Sequence, residues 1–236
     1  MLELNRDTLE FLTPYPADDL PEISGGWEEK EFTVLERVFR LIRPANPDAL
    51  LDDPEVLKAN VADNYMPYWG YLWPTSLDMS KAILSANLPA GLSTLEVGAG
   101  IGLAGLAGLA AGLDVIFTDY DRTSVRLALS NAVLNGFPSA RGAFLDWRQA
   151  PDLEFPLILG CDVIYEKANH EPILNVIEHM LAPDGECWLA DPGRHTVEAF
   201  LALAKSRGYK IGRKQVVREP FPTRPDGMTD IWIVTK

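Results

Sequence analysis

The run Leu95-Glu96-Val97-Gly98-Ala99-Gly100-Ile101-Gly102 carries an apolar stretch through a glycine-dense turn into a second stretch of Leu, Ala and Gly. A turn of this kind, between a strand and a helix, lets the backbone come close to a ligand. Gly98 and Gly100 have no Cβ in the way and reach left-handed conformations without penalty. Two acids accompany the turn. Glu96 stands just ahead of it, where a dinucleotide-binding strand ordinarily has an apolar residue. Asp119 follows 23 residues after Glu96, at the end of the next apolar stretch, where a carboxylate can accept both hydroxyls of a ribose. The chemistry these residues suit is the holding of a nucleoside-bearing cofactor at the carboxyl ends of parallel strands. Gly100-Ile101-Gly102-Leu103-Ala104-Gly105 also matches the dinucleotide pattern G-x-G-x-x-G. Its register speaks against nicotinamide or flavin, because the glycine directly after the strand is Gly98. Counting from Gly98 puts Leu103 where the third glycine belongs.

The elements that must position these residues follow from periodicity and punctuation. A helix capped by Thr75 or Ser76, with Asp78 in its first turn, runs to about Asn87 and stops before Leu88-Pro89. Strands are expected at Ser93–Val97, Asp114–Thr118, around Ala143–Leu145, at Leu157–Ile164 and at Glu186–Ala190. Between them stand helices at Gly102–Ala111 and Arg122–Asn135, the latter with Val125, Ala128, Leu129, Ala132 and Val133 on one face. A further helix has Pro172 in its first turn and ends by Pro183-Asp184-Gly185. Another spans Val197–Arg207. Tyr209–Val217 and Thr229–Thr235 then pair without a helix between them. Five βα units closed by a hairpin give a doubly wound α/β fold with a mostly parallel, seven-stranded sheet.

Residues 1–66 are Pro- and Asp-rich and form an N-terminal extension packed on the main domain. Phe32, Leu35, Val38, Phe39 and Ile42 fit one face of a helix, and a short strand is equally open. Asp53-Pro54 begins a helical turn through Val61.

Length and composition allow one large domain with an extension. The net charge is −13 over 236 residues, and residues 1–66 hold 15 acidic and 6 basic side chains. Such a chain repels nucleic acid on average. Seven basic residues between Lys205 and Arg224 are a local exception, read as a solvated helix end and hairpin face or as a patch for an acidic partner. Cys161 and Cys187 lie in apolar segments and read as reduced, buried thiols. No metal-ligand spacing exists, and His170, His179 and His195 are given no chemistry. Apolar stretches are too short for a membrane span and no secretory leader is recognisable, so a cytoplasmic location is expected.

Five segments together carry a resemblance. Glu96-Val97-Gly98-Ala99-Gly100 resembles motif I of the seven-strand S-adenosylmethionine-dependent methyltransferases. Trp69-Gly70-Tyr71-Leu72-Trp73-Pro74, Leu145-Asp146-Trp147, Leu159-Gly160-Cys161-Asp162-Val163-Ile164-Tyr165 and Asp191-Pro192-Gly193-Arg194 narrow the match. They resemble the nicotinamide N-methyltransferase-like family of protein lysine methyltransferases, nearest its electron-transfer flavoprotein β-subunit branch. The resemblance covers about Tyr65 to Lys236 and implies a methyltransferase domain over residues 67–236 that binds S-adenosyl-L-methionine. It implies that Trp73 lies against the methionine end of the cofactor. Gly98, Ala99 and Gly100 wrap it, with Glu96 beside them. Asp119 takes the ribose, and Asp146 and Trp147 border the adenine. Cys161 lines the pocket floor where relatives usually have Ala. Asp162 would orient or deprotonate an amine, and Tyr165 would shape its channel. The implied substrate is a lysine side chain of a folded protein, drawn to an acidic mouth with Tyr65, Tyr68 and Tyr71 as walls. A small-molecule N- or O-methyltransferase and a non-catalytic cofactor-binding protein are the alternatives.

Overall fold

The computed structural model describes residues 9–16, 20–222 and 224–236. In chain order it contains strands β1 (Glu10–Leu12), β2 (Trp27–Val34) and β3 (Arg37–Pro44), then helices α1 (Pro54–Asp63) and α2 (Pro74–Leu84). Next come β4 (Ser93–Val97), α3 (Leu103–Ala110), β5 (Asp114–Asp119), α4 (Arg122–Leu134), β6 (Arg141–Phe144) and β7 (Phe155–Cys161). The chain continues through α5 (His170–Met180), β8 (Leu181–Asp191), α6 (Val197–Ser206), β9 (Lys210–Val217) and β10 (Met228–Thr235). The main sheet has the order β1-β6-β5-β4-β7-β8-β10-β9. Strands β6, β5, β4, β7 and β8 are parallel, and β10 and β9 close one edge antiparallel. The seven strands expected from the sequence are present. An eighth, β1, comes from the extension and pairs antiparallel with β6.

The central strands are apolar on both faces because both are covered. In β7, Leu157 and Leu159 join the cluster under α2, α3 and α4, while Ile158 joins the cluster under α5 and α6. The sheet therefore has helices on both sides, and its topological switch falls between β4 and β7. Ligands of such sheets collect at the carboxyl ends of the strands flanking that point.

Local corrections have physical causes. β7 ends at Cys161, not Ile164, because Asp162 adopts φ +54°. α2 starts at Pro74 with Trp73 as its cap residue, so Thr75 and Ser76 do not cap it. Thr75 instead reaches into the site described below. Asp78 is fully buried and serves a tertiary role. Its carboxylate accepts bonds from Glu219 N (2.7 Å), Arg224 Nη1 and Nη2 (2.5 and 3.0 Å) and Thr229 Oγ1 (2.5 Å). Val133 is exposed rather than part of the apolar stripe of α4. α5 ends at Met180, and the Pro183-Asp184-Gly185 segment lies within β8.

In the extension the open choice falls to strands. Val34, Phe39 and Leu41 of the β2–β3 hairpin are buried, while Leu35 and Val38 are exposed. The hairpin docks on α4 through side-chain amides that mimic a neighbouring strand. Asn131 accepts from Ile42 N (2.7 Å) and donates to Ile42 O (3.0 Å), and Asn135 does the same for Arg40 (3.0 and 2.7 Å). Three of the seven residues of the basic run are paired internally. Arg207 pairs with Glu171, Arg213 with Asp230 and Arg224 with Asp78. No helix among the described residues is long and apolar enough to cross a membrane.

One glycine sets how closely α3 lies on the sheet. A Cβ at Gly105 would stand 2.3 Å from Phe117 Cε1 and 2.4 Å from Glu96 Oε2. Gly105→Ala is expected to lower the free energy of unfolding by about 1–3 kcal/mol through this overpacking. Urea denaturation checks it, and an unchanged midpoint would show that α3 can shift freely.

Candidate active site

The strand-end loops enclose a cavity of about 420 Å³, within the usual range for small-ligand sites, roughly 300–1,000 Å³. At one end Gly98 (φ +63°) and Gly100 (φ +56°) make the turn after β4. A Cβ on Gly98 would meet Val163 Cγ1 at 2.9 Å and Trp147 Cζ2 at 3.1 Å, so only glycine fits. Asp119 at the tip of β5 braces this turn. Its carboxylate accepts from Gly100 N (3.0 Å) and Asp121 N (2.9 Å). Desolvation raises Asp119 to about 6, and these backbone bonds together with Ser124 oppose the rise. Asp146 caps a single 3₁₀ turn and accepts from Arg148 N (2.9 Å) and Arg148 Nε (2.8 Å). Trp147 completes this wall, and its buried Nε1 finds no partner among the described residues.

At the other end stand Trp73, Cys161, Asp162 and Tyr165. Trp73 Nε1 donates to Tyr68 O (3.0 Å), and Tyr68 lies edge-on to both Trp73 and Tyr165 at 6.2 and 5.8 Å. Asp162 is buried and bonded to Thr75 Oγ1 and to the guanidinium of Arg194. Burial pushes its carboxyl up to about 6 in spite of the arginine. Burial likewise moves the Tyr165 hydroxyl up to about 12 and the Cys161 thiol well above its ordinary range.

Three of the residues singled out in the sequence stand outside the cavity lining. Ala99 turns its amide to Thr118 O (2.9 Å). Glu96 lies beneath the turn, 3% exposed. One of its oxygens accepts from Gly105 N (3.0 Å) and the other has no partner among the described residues. Burial lifts Glu96 to about 8. Tyr71 stands behind Trp73 and bonds Asp48 (2.6 Å) instead of lining the cavity.

Sequence patterns passed over other contributors. Asp63, Asn64 and Met66, at the end of α1, form part of the wall beside Tyr65, which was expected there. Asp63 accepts from Tyr120 Oη (2.9 Å) and Arg148 Nη1 (3.3 Å), and Tyr65 Oη bonds Asp121. Thr75, expected only as a helix cap, and Arg194, quoted only within the Asp191-Pro192-Gly193-Arg194 segment, carried no expected role in the site. The pairing of Thr75 with Asp162 spans 87 positions, beyond any local spacing signal. With Asp63, Asp121 and Glu166 among the lining residues, and Arg148 the sole cation among them, the cavity is acidic.

Residues 70–207 match the family described as lysine methyltransferase. The histone-arginine methyltransferase METTL23 of Xenopus laevis is 30% identical over 191 residues, which cover 74% of this chain and 78% of that protein. The histidine protein methyltransferase 1 homolog of Dictyostelium discoideum is 30% identical over 127 residues, 50% of this chain. The match spans 41% of that relative's length. Among solved structures, a TehB-like SAM-dependent methyltransferase from Corynebacterium glutamicum superposes with a TM-score of 0.51 at 20% identity. It covers 81% of this chain and 100% of that one, a likeness of fold.

The family implies S-adenosylmethionine, and the residues present fit it. Asp119 offers an acceptor at a strand end, Trp147 an unpaired donor in the wall, and the Gly98–Gly100 turn a side-chain-free approach. Asp119→Ala is expected to weaken binding of S-adenosylhomocysteine by about 1.5–3 kcal/mol, the size of one or two charge-assisted bonds at this strand end. Calorimetry would expose an unchanged dissociation constant as a refutation.

Glu96 generates a pH prediction. Its carboxyl holds a proton to about pH 8 in the folded chain but only to its ordinary value of 4.5 when unfolded. Between these values the folded state binds more protons, so its stability falls as pH rises. Glu96→Gln is expected to remove this slope. The variant should gain about 1–3 kcal/mol over wild type at about pH 9, and little at about pH 5. Parallel slopes for the two proteins would show that Glu96 is ionised when buried.

Proposed function

The chain belongs to the lysine methyltransferase family, and from that premise we propose that it transfers a methyl group to a lysine side chain of a folded protein. The observation that carries this reading is the cavity lining, where Asp63, Asp121 and Glu166, all at least partly exposed, stand among aromatic walls as an acidic rim. An acidic rim attracts a cationic side chain, and aromatic faces suit both its aliphatic stem and its charged head. The extension supplies part of that rim through residues 63–66. The relatives named above are protein methyltransferases by name, on arginine and on histidine, which supports a protein acceptor over a metabolite.

S-adenosylmethionine, when bound, supplies an electrophilic methyl group on its sulfonium sulfur. In this proposal Gly98, Gly100 and Asp119 hold its backbone-facing and ribose parts, with Asp146 and Trp147 at the adenine. Trp73 and Tyr165 wall the acceptor side and exclude water. Asp162 orients the acceptor amine. Positioning of this kind accounts for much of the rate in an in-line transfer. The amine must also arrive neutral. From an ordinary lysine value near 10.4, that costs about 4.6 kcal/mol at pH 7, and desolvation at an apolar mouth offsets part of it.

The decisive experiment incubates a cell lysate with methyl-labelled S-adenosylmethionine and the purified chain. Label is expected in protein, on lysine, and to fall as ionic strength rises to about 0.3 M. Asp162→Asn should cut labelling more than tenfold while changing the affinity for S-adenosylhomocysteine less than threefold, on the order of 1.4 against 0.6 kcal/mol. Label confined to small metabolites, or full activity of the Asn variant between about pH 7 and 9, would overturn the proposal.

A further inference from the structure

The loop after β8 is built to deliver one side chain. Asp191 is fully buried, and its Oδ1 accepts from both Gly193 N and Arg194 N at 2.7 Å. Gly193, at φ +95°, turns the chain back over the strand ends. Arg194 then places Nη1 on Asp162 Oδ1 and 3.2 Å from Asp191 Oδ2. Its guanidinium carbon lies 5.7 Å from the ring centre of Trp73 and 5.8 Å from that of Tyr165. Asp162 is gripped from the opposite side as well. Thr75 Oγ1 of α2 donates to Oδ2, and the Asp162 amide donates to Ala190 O at 3.0 Å. Each carboxylate oxygen thus has a donor from a different element, and only its second lone pair is left for a substrate.

We infer that Arg194 is a positioning residue, which fixes Asp162 as an anion that orients the acceptor amine rather than taking its proton, and which ties the Trp73 and Tyr165 walls to that anion. This inference rests on the proposal that Asp162 faces the acceptor. A carboxylate locked in an ion pair is a poor proton acceptor, since protonation would strand a partly buried guanidinium. The aromatic faces leave the cation in place as a cation–π partner, so one side chain sets both the charge and the walls.

The groups facing Asp162 fix the expected pH behaviour. They are Arg194 and Asp191 from the β8 loop, Arg224 from the β9–β10 connection, and neighbouring Cys161. Tyr165 and Glu166 follow on its own segment. Burial and Asp191 push the carboxyl up, while Arg194 and Arg224 pull it down. Removing Arg194 therefore raises it.

The test compares wild type with Arg194→Met, Arg194→Lys and Thr75→Val. The Asp162 carboxyl is followed by carbon NMR, its signal identified by loss in Asp162→Asn. Initial rates of label transfer to lysate protein are measured across pH. Arg194→Met is expected to raise the Asp162 titration by at least one pH unit. It should move the acid limb of the rate profile upward by the same amount and lower the rate at neutral pH about tenfold or more. Binding of S-adenosylhomocysteine should change less than about threefold. Millimolar guanidinium should restore part of the lost rate. Arg194→Lys should fall between the two proteins, because it keeps the charge without the planar fork. Should Arg194→Met lose its native circular dichroism, Thr75→Val decides. It removes the other hold on Asp162 and should shift the titration and acid limb in the same direction by less. An unmoved titration, or a lost rate with an unmoved acid limb, overturns the inference. A fully active Asp162→Asn would instead overturn the proposed role of Asp162, so the two failures are distinguishable.

Discussion

The site depends on one carboxylate bridging two strand ends. Asp119 closes the cradle by accepting the Gly100 amide from the turn after β4 and the Asp121 amide from the turn after β5. Without an acceptor there, the left-handed turn at Gly98 and Gly100 would leave a buried amide unpaired, a cost of about 1–3 kcal/mol. Much else hangs on this bond. Asp121, placed by it, caps α4 through Thr123 N at 2.7 Å and receives the Tyr65 hydroxyl. Ser124, in the first turn of α4, donates back to Gly100 O at 2.9 Å. The turn, the helix and the end of the extension are thereby held in one register.

The acidity of the chain looks different once partners are placed. Five carboxylates in or near the cavity are matched by three arginines. Arg148 takes Asp146 and Asp63, Arg194 takes Asp162 and Asp191, and Arg224 takes Asp78. These pairs fix geometry more than they add stability, since burying ions costs much of what their attraction returns. Among the rim acids of the lining, Asp121 and Glu166 have no arginine partner among the described residues. The same distribution explains why the basic run from Lys205 to Arg224 does not form a free patch. Three of its four arginines are spent on Glu171, Asp230 and Asp78, and Arg218 donates to the carbonyls of Pro192 and Pro225.

Signals confined to a few consecutive residues were legible in the sequence. β4 is found where expected, and Asp53, read as the start of a helical turn, caps α1 through Glu55 N. Chemistry set by a single turn is written in adjacent positions. The grip on Asp162 was not legible, because Thr75 and Arg194 lie 87 and 32 positions away and a local segment, even one as marked as Asp191-Pro192-Gly193-Arg194, does not say which distant carboxylate its arginine meets. Thr75 even offered a plausible local role, helix capping, which Pro74 pre-empted by starting the helix earlier. The hairpin was equally hidden. Residues 27–44 mix charged and apolar types in a pattern that suits either period. What selects strands is the pair of amides on α4, Asn131 and Asn135, which bond the β3 backbone.

That docking also explains how a Pro-rich, acidic extension takes part in a site it precedes in sequence. The hairpin is fixed to α4, and α2 is fixed to the sheet, so the intervening segment has both ends anchored. α1 itself buries no residue; its position is set by its termini rather than its faces. At its far end Asp63 and Tyr65 bond Tyr120, Arg148 and Asp121, groups that also line the cavity or brace it. Trp69 Nε1 adds a bond to the Tyr65 hydroxyl at 3.1 Å, and the Trp69 ring packs 6.4 Å from that of Trp27 in the hairpin. A continuous line of contacts thus runs from hairpin to cavity wall. Charge placed on a weakly packed helix would ordinarily wander with it. Here the polar bonds at the end of α1 hold Asp63 at the rim while leaving the rest of the helix exposed. The chain can therefore carry much of its net charge in an extension and still present part of it at one defined mouth.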